Sequence, residues 1–477
     1  MIMIDNKDKV SSLKAQLVTY MHSGCDERIY LNGKGETKYG INPLAFEGRI
    51  NRGSCTCGSF NEDNEAEMEE LLSRDLEDPS EYEKLLEEQT AELKSILNYS
   101  GEDKFEIFYA PSGTDLVYFP AIFSSIMHPD RPILNLLSCP EELGSGTLFA
   151  VRGEYHADYN QFEEKVPKGQ KICPAFDIKV LYLDARDMDG NIINHEAYIK
   201  EQIDRHSNYS IIGSLVYGSK SGIQDNLDMI DHFEREDIIW NVDLCQFRHD
   251  LSTIHRILDK QGCVMITGSK FYQAPPFCGA MLVNKSFLKQ LEGGDYGVVP
   301  MFKELLSAYD FPKFMRDKTG LDARQNIGLR LRWACFLNER KKFMTIPEPV
   351  VNDIIDRWNT LLSRTMMAHE EFELMPDQFR TNRTIISFRL KKNGNYLNQK
   401  DLKKLYSALV SSEYGEAYSF NRIFIGQPVV YGDKSFLRLA IGSMNIRKFH
   451  KNKEQDFAND LDIIQIIRDK LASFETN

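Results

Sequence analysis

Apolar residues in this chain gather into short unbroken runs. Seven such runs stand at residues 104–110, 132–138, 179–183, 211–217, 237–242, 263–267 and 279–283. Each has the length of a strand, and continuous apolarity predicts strands buried on both faces. Several intervening segments are long enough, and helical enough in pattern, to be crossovers. This alternation predicts an α/β domain: a mostly parallel seven-stranded sheet flanked by helices. Ligands in such sheets bind at the carboxyl ends of the strands. Residues 1 to about 60 read as irregular, with one amphipathic stretch at 10–21 and turn signals at Asn32-Gly33, Gly40 and Asn42-Pro43. From 61 to 97 the pattern turns acidic and helical. Met68, Leu71, Leu72, Leu85, Leu86, Leu93 and Leu97 keep helical spacing, and the glutamates between them read as a solvated face. Helices are expected over 302–337. Beyond them, 384–390 and 436–441 read as strands and 399–411 as a helix, a smaller α+β unit. The expected divisions are an N-terminal segment with the acidic helix (1–98), a large domain (99–300), connecting helices (301–337) and a small C-terminal α+β domain (338–477).

A chain of 477 residues exceeds one simple core and suits two domains. With 42% hydrophobic and 27% charged residues, its composition is that of a soluble globular protein. A net charge of −13 argues against a nucleic-acid binder, which needs a basic face for phosphates. No uncharged apolar run approaches the roughly 18 residues of a membrane span, so no membrane partner is expected. The polar start Met1-Ile2-Met3-Ile4-Asp5-Asn6-Lys7-Asp8 predicts no secretory signal. Nine scattered cysteines, an odd number, suit reduced thiols in a cytoplasm. Cys55-Thr56-Cys57 is the only close pair. It lacks the spacing and the second pair of a metal site, so no metal is expected there. It reads as two loop thiols, the alternative being a loop that reaches an active site or a redox switch.

Chemistry-bearing residues cluster at the expected strand ends. Lys270 follows the buried run Cys263-Val264-Met265-Ile266, an unusual place because lysine is rarely buried without a partner. A lysine desolvated there can lose its proton and form a Schiff base with an aldehyde. Asp243 ends the run at 237–242. An acid and a lysine at neighbouring strand ends point to pyridoxal phosphate, whose ring nitrogen needs a carboxylate to stay protonated. Ser112-Gly113-Thr114-Asp115, at a strand-to-helix turn, offers hydroxyls and helix-start amides to a phosphate. It is equally an ordinary helix N-cap. Gln246 and Ser219 are candidates for the ring oxygen, and Thr267 and Ser269 for the phosphate.

The order Ser112-Gly113-Thr114, Asp243-x-x-Gln246, Ser269-Lys270 resembles the fold-type I pyridoxal-phosphate enzymes, most closely the class V aminotransferase and cysteine desulfurase branch. The resemblance covers residues 100–285 well and the C-terminal domain loosely. It implies an aspartate aminotransferase-like fold and a homodimer. It implies Lys270 as Schiff-base lysine and acid/base, and Asp243 on the ring nitrogen. Gln246 or Ser219 would meet the ring oxygen, and Ser112, Gly113, Thr114 and Ser269 the phosphate. The family often stacks a histidine or aromatic on the ring after the second strand, but Ser138-Cys139-Pro140-Glu141-Glu142-Leu143-Gly144-Ser145-Gly146 has none. His156 is a distant substitute, a surface histidine being the simpler reading. A desulfurase needs a nucleophilic cysteine in a mobile loop, and Cys335 sits in a helical context suited to burial. Arg438 matches where the superfamily clamps a substrate carboxylate, or else stands on the exposed face of an edge strand. Arg248 is an alternative anion contact.

The expected function is a pyridoxal-phosphate enzyme acting on an amino acid or amine metabolite, foremost by transamination. A lyase, decarboxylase or β/γ-replacement enzyme is the runner-up, because substrate orientation chooses the bond that breaks. A catalytically silent binding protein of the same fold ranks lower. A nucleotide-binding protein would want Gly-x-Gly-x-x-Gly or a Walker loop after the first strand, and neither is present.

Overall fold

The structure is a computed structural model. It describes residues 15–42, 44, 48–53, 58–97, 103–174, 176–233, 238–248, 251–376, 383–431, 434–452 and 457–474. The Cys55-Thr56-Cys57 pair, the polar N-terminus and residues 10–14 of the amphipathic stretch lie outside the described residues, as do Pro43 and Asp237.

Numbered along the chain, β1 (Arg49–Arg52) belongs to a second sheet. The larger sheet holds β2 (Phe105–Ala110), β3 (Ile133–Ser138), β4 (Ile178–Leu183), β5 (Ser210–Val216), β6 (Ile238–Asp243), β7 (Cys263–Thr267) and β8 (Gly279–Asn284), within a residue or so of the seven apolar runs. Their order is β2-β8-β7-β6-β5-β3-β4. Only β8 runs against the others, pairing antiparallel with β2 and β7. Both faces are covered: Val264 and Ile266 of β7 enter one core, Cys263 and Met265 the other. This double burial is why the strands read as unbroken apolar runs. The strand order reverses at β3 and β5, which opens a crevice at their carboxyl ends.

Helix Pro79–Leu97 has proline at its start, where no amide is needed, and buries Tyr82, Leu85, Leu86, Gln89, Leu93 and Leu97. It packs on helix Ile327–Phe343. Its glutamates pair outward, Glu83 and Glu87 with Lys313 and Glu83 with Arg316. Such exposed pairs are worth about 1 kcal/mol or less each. Helix Ile327–Phe343 is buried nearly all round, arginines included. Arg332 is tolerated inside because it donates to the carbonyls of Phe277, Ser23 and Gly24, which also ties the N-terminal segment down. The crossover from β3 to β4 is not the helix its length suggested. It holds two short helical turns and a loop closed by the bridges Glu154↔Lys171 and Tyr159↔Lys165, around Gly153 at φ +69° and Gly169 at φ +81°.

The second sheet runs β1-β12-β13-β10-β11. It is built from β10 (Ile385–Lys392), β11 (Asn395–Tyr396), β12 (Arg422–Tyr431) and β13 (Lys434–Ala440), with β9 (Phe372–Leu374) paired to β10. Helices Gln399–Ser411 and Ala458–Ser473 cover it. Strand β12 escaped the apolar pattern because Gly426-Gln427-Pro428 interrupts it, and its register with β13 shifts there. Strand β1 corrects the reading of residues 1–60 as irregular: Arg49–Arg52 pairs parallel with Arg422–Ile425. Four residues, two of them arginine, are too few and too polar to signal a strand.

Strand β1 is anchored by buried charge. Arg52 Nε and Nη2 lie 2.5 and 2.7 Å from the Asp460 carboxylate, which also accepts from Trp358 Nε1 at 3.0 Å. Asp460→Ala leaves the Arg52 charge buried and unpaired. A loss of about 3–5 kcal/mol in urea unfolding is expected; a change under about 1 kcal/mol would show that β1 adds nothing to the small domain.

Candidate functional site

Lys270 and Asp243 stand at the ends of adjacent parallel strands, β7 and β6, with Asp243 opposite Met265. Both are half-buried, while Val242, Leu244, Ser269 and Phe271 around them are buried. Their shared neighbour is Cys245. Burial pushes its thiol well up, the Asp243 carboxylate adds to this, and the Lys270 ammonium opposes it. Both charges thus bear on one buried sulfur. Asp243 Oδ1 accepts from the Cys245 amide at 2.7 Å, and its carbonyl accepts from Tyr217 N–H at 3.0 Å. The phosphate-loop candidate reaches the same sulfur, since a Cβ on Gly113 would sit 2.7 Å from Cys245 Sγ. Only glycine allows that approach. Thr267 Oγ1 donates to the Cys245 carbonyl at 2.8 Å, so the proton it would lend a phosphate is engaged here. Cys245, between Asp243 and Gln246, was missed as the hub, since a lone cysteine in an apolar run carries no signal.

The Lys270 turn is tightly held. Gly268 N–H donates to Cys278 O, Gln273 N–H to Lys270 O and Ala274 N–H to Gly268 O. Gly268 lies against Phe336, where a Cβ would come within 2.7 Å. Ser269 is buried beside the Cys278 thiol. Left-handed non-glycine residues gather in these strand-end loops: Cys139 after β3, Phe247 after β6, Gln273 and Phe277 after β7. Such conformations cost roughly 1–3 kcal/mol each and concentrate at functional sites.

At the loop after β2, Ser112 and Asp115 close a capping box: Ser112 N–H and Oγ–H both meet Asp115 Oδ2, at 3.0 and 2.6 Å. The Gly113 and Thr114 amides, first in the helix, have no intrahelical acceptor. Thr114 Oγ1 shares a hydrogen bond with Thr147 Oγ1. The N-terminal segment adds residues that sequence reading did not reach. Arg28 Nη2 donates to Ser112 Oγ at 3.3 Å, pairs with Asp26 and stacks over Phe277. His156 is buried, not the surface histidine of the simpler reading. Its Nε2 lies 3.4 Å from Asp26 and 3.6 Å from Asp115, and its Nδ1 3.1 Å from Tyr118 OH. Burial raises the Asp26 carboxyl, but Arg28 and His156 outweigh it and hold it well below the usual range. Asp26 and Arg28 come from a segment with no periodicity, so only the fold brings them here.

The two ring-oxygen candidates have protein partners. Ser219 Oγ donates to Glu142 Oε2 and accepts from Ile223 N–H at 3.0 Å. Glu142 also takes Ser221 N–H and Oγ–H and lies 3.8 Å from Arg186 Nε, a buried polar cluster at the ends of β3 and β5. Gln246 Oε1 accepts from Arg248 Nε at 3.2 Å, which leaves its amide nitrogen as the donor end. Arg248 bridges to the smaller sheet, donating to Thr384 Oγ1 at 2.8 Å and Ile441 O at 2.6 Å. Burial, then the nearby Arg438 charge, lowers it to about 9. Arg438 is fully buried on β13, an interior strand paired with both β10 and β12, which overturns the exposed-edge reading. A Cβ on Gly426 would meet its guanidinium at 2.5 Å. Cys335 is buried in helix Ile327–Phe343, and burial holds its thiol well above the usual range.

Asp225, after β5, accepts from Val216 N–H at 2.6 Å, and burial pushes its carboxyl from 3.8 up to about 6. A raised folded-state value means the contribution is complete below about pH 4 and is lost as pH climbs to about 6. The loss is roughly 3 kcal/mol. Asp225→Asn is expected to flatten stability between pH 4 and 6 in urea titrations; an unchanged slope would mean the carboxyl titrates normally.

The donor set suits pyridoxal phosphate. It holds a half-buried amine and carboxylate at adjacent strand ends, a glycine-bearing loop with amides at a helix start, and a buried arginine on the smaller sheet. No family model matches the chain, and no curated protein does. Among solved structures it is similar to the Catharanthus roseus tryptophan decarboxylase, at 13% identity and TM-score 0.55 over 98% of this chain and 96% of that one. A NifS-like protein from Rickettsia africae matches at 12% identity and TM-score 0.54, over 88% and 99%. A phosphoserine aminotransferase from Cytophaga hutchinsonii matches at 12% and 0.51, over 85% and 98%. The chain shares its fold with these structures, the aspartate aminotransferase-like architecture that the resemblance implied.

Proposed function

We propose that the protein is a pyridoxal-phosphate-dependent enzyme acting on a small amino acid or amine through Lys270, foremost as an aminotransferase. The observation that carries this is the placing of Lys270 and Asp243 just at and past the ends of adjacent parallel strands, with the Gly113 turn against Cys245 beside Asp243. When bound, pyridoxal phosphate supplies an aldehyde that bonds amines and a ring that accepts the electron pair left at the α-carbon. Asp243 would hold a proton on the ring nitrogen. Gly113 and Thr114 amides, with Ser269, would hold the phosphate, while the Ser112 N–H and Oγ–H stay with Asp115. Gln246 would face the ring oxygen, since the Ser219 hydroxyl proton goes to Glu142 and only the amide of Gln246 carries two donor hydrogens. Lys270 would exchange with the substrate amine and then move the α-proton. Arg438 would hold the substrate carboxylate. A retained carboxylate favours loss of the α-proton over loss of carbon dioxide, which supports transamination above decarboxylation; β/γ-replacement begins with the same proton loss and stays an alternative. We take the working unit to be a cytoplasmic homodimer. No helix among the described residues is long and apolar enough to cross a membrane.

The test is the visible spectrum of purified protein incubated with pyridoxal phosphate. A yellow protein whose band disappears on borohydride reduction is expected, and amino donors should convert it to the amine form of the cofactor. A colourless protein that cannot be reconstituted sinks the reading. A yellow protein that releases carbon dioxide from amino acids would move it to the decarboxylases.

A further inference from the structure

His156 is buried where the N-terminal segment, the loop after β2 and helix Tyr118–Met127 meet. Its contacts assign its charge. Tyr118 OH has one proton, which it donates to Glu154 O at 2.7 Å. The 3.1 Å contact between Tyr118 OH and His156 Nδ1 therefore takes its proton from the imidazole. On the other side Nε2 faces two acceptors, Asp26 Oδ2 at 3.4 Å and Asp115 Oδ1 at 3.6 Å. A bare nitrogen there would set its lone pair against two carboxylates. Both nitrogens thus carry hydrogen, and an imidazole with two N–H groups is cationic.

Each carboxylate it touches has a second task. Asp26 caps the turn Glu27–Ile29 by accepting from the Arg28 amide at 3.0 Å, and it takes the Arg28 guanidinium at 2.7 and 2.5 Å. Asp115 closes the capping box with Ser112. Arg28 Nη2 reaches Ser112 Oγ, so the contacts form a closed cycle: His156, Asp26, Arg28, Ser112, Asp115 and back to His156. With His156 charged, the cycle holds two cations and two anions. With a neutral imidazole it would bury a net negative charge, which is costly. Arg332 and Glu27 also tie the segment down, through the carbonyls of Ser23 and Gly24 and the amides of Asp158 and Tyr159. What the cycle sets is the placing of the Asp26–Arg28 turn against the loop after β2.

We propose that His156, as an imidazolium, is a positioning residue: it clamps the Asp26–Arg28 turn onto the Ser112–Asp115 loop and so fixes the Gly113 and Thr114 amides for the cofactor's phosphate. The clamp stands on the contacts alone, while its link to the phosphate rests on the pyridoxal reading. Without the imidazolium, Asp26 and Asp115 face each other as like charges across a buried gap, and the turn draws away from the loop.

The clamp is tested first on the full chain without cofactor. Nitrogen NMR of protein carrying isotope-labelled histidine should give protonated-type signals for both ring nitrogens of His156 at neutral pH. The resonances are identified by their loss in His156→Gln or their shift in Tyr118→Phe. One bare ring nitrogen overturns the clamp. Limited trypsin digestion, read at the Arg28–Ile29 bond, should be at least about tenfold faster in His156→Gln and in Asp26→Asn, with thermal melts confirming folding. The double variant should fall short of the product of the two single effects. Wild-type rates in His156→Gln, or a full product in the double variant, overturn the clamp. Equilibrium titration then tests the link to the phosphate. Pyridoxal phosphate should bind at least about tenfold more weakly to His156→Gln, while pyridoxal, which lacks the phosphate, changes by less than about threefold. Unchanged pyridoxal phosphate affinity, or an equal loss for both compounds, overturns the positioning role alone. A wild-type protein that binds neither compound overturns the pyridoxal reading and this role with it.

Discussion

Lys270→Ala is expected to lower turnover by about 10³-fold or more while leaving the fold intact. General acid/base transfer alone contributes about 10²–10⁴-fold, and Lys270 is also the proposed covalent partner of the cofactor. The fold should survive because Lys270 is half-buried and makes no ion pair among the described residues. Its turn is held by backbone bonds from Gly268, Gln273 and Ala274, which alanine keeps. Unfolding free energy should therefore change by about 0.5 kcal/mol or less. Three readouts check the claim: single-turnover rate, urea unfolding, and the visible band, which should no longer be fixed to the protein by borohydride. A small primary amine added to the variant should restore part of the rate. Near-normal turnover in a folded variant would remove Lys270 from the chemistry.

Asp243→Asn should lower turnover by about 10²–10³-fold with the protein still folded and still able to take up cofactor. Asparagine keeps an oxygen for the Cys245 amide, now 2.7 Å from Asp243 Oδ1, so the strand end should hold its shape. What disappears is the negative charge that keeps the ring nitrogen protonated. Removing one preorganised electrostatic partner costs this much in other active sites. A variant that binds cofactor within about threefold of wild type but turns over slowly supports the assignment. Unchanged turnover would show that Asp243 only caps the loop through Cys245.

How much of this was legible beforehand follows from the range of each interaction. The seven strands of the larger sheet were readable because burial on both faces leaves an unbroken apolar run, a purely local pattern. Helix Gln399–Ser411 stands where the sequence placed it, and the structure adds the Asn398 cap. Strands β1 and β12 were not. One is four polar residues whose partner lies more than 370 positions away, and the other is broken by a bulge. The site divides in the same way. Lys270, Asp243 and Ser112-Gly113-Thr114 announce themselves by residue type at a strand end. Thr267 and Ser219 look equally suitable in sequence, and only hydrogen-bond partners reveal that their protons go to the Cys245 carbonyl and Glu142.

The residues whose surroundings the sequence could not settle are those beside distant charge. Asp26, Arg28 and His156 reach the loop after β2 from two other parts of the chain. Arg438 could be read as standing on an exposed edge until its strand proved interior and Arg248 proved its neighbour. By itself, then, the sequence determined the large sheet, the strand ends where chemistry belongs, and the lysine–aspartate pair. These follow from local periodicity and from residue types that a buried strand end tolerates only for a reason. The tertiary structure alone decided which hydroxyls remain available, which arginine is buried, and how the N-terminal segment closes on the site and adds a strand to the small domain. Hydrogen-bond partners and desolvation are properties of neighbours in space, and no local pattern records them.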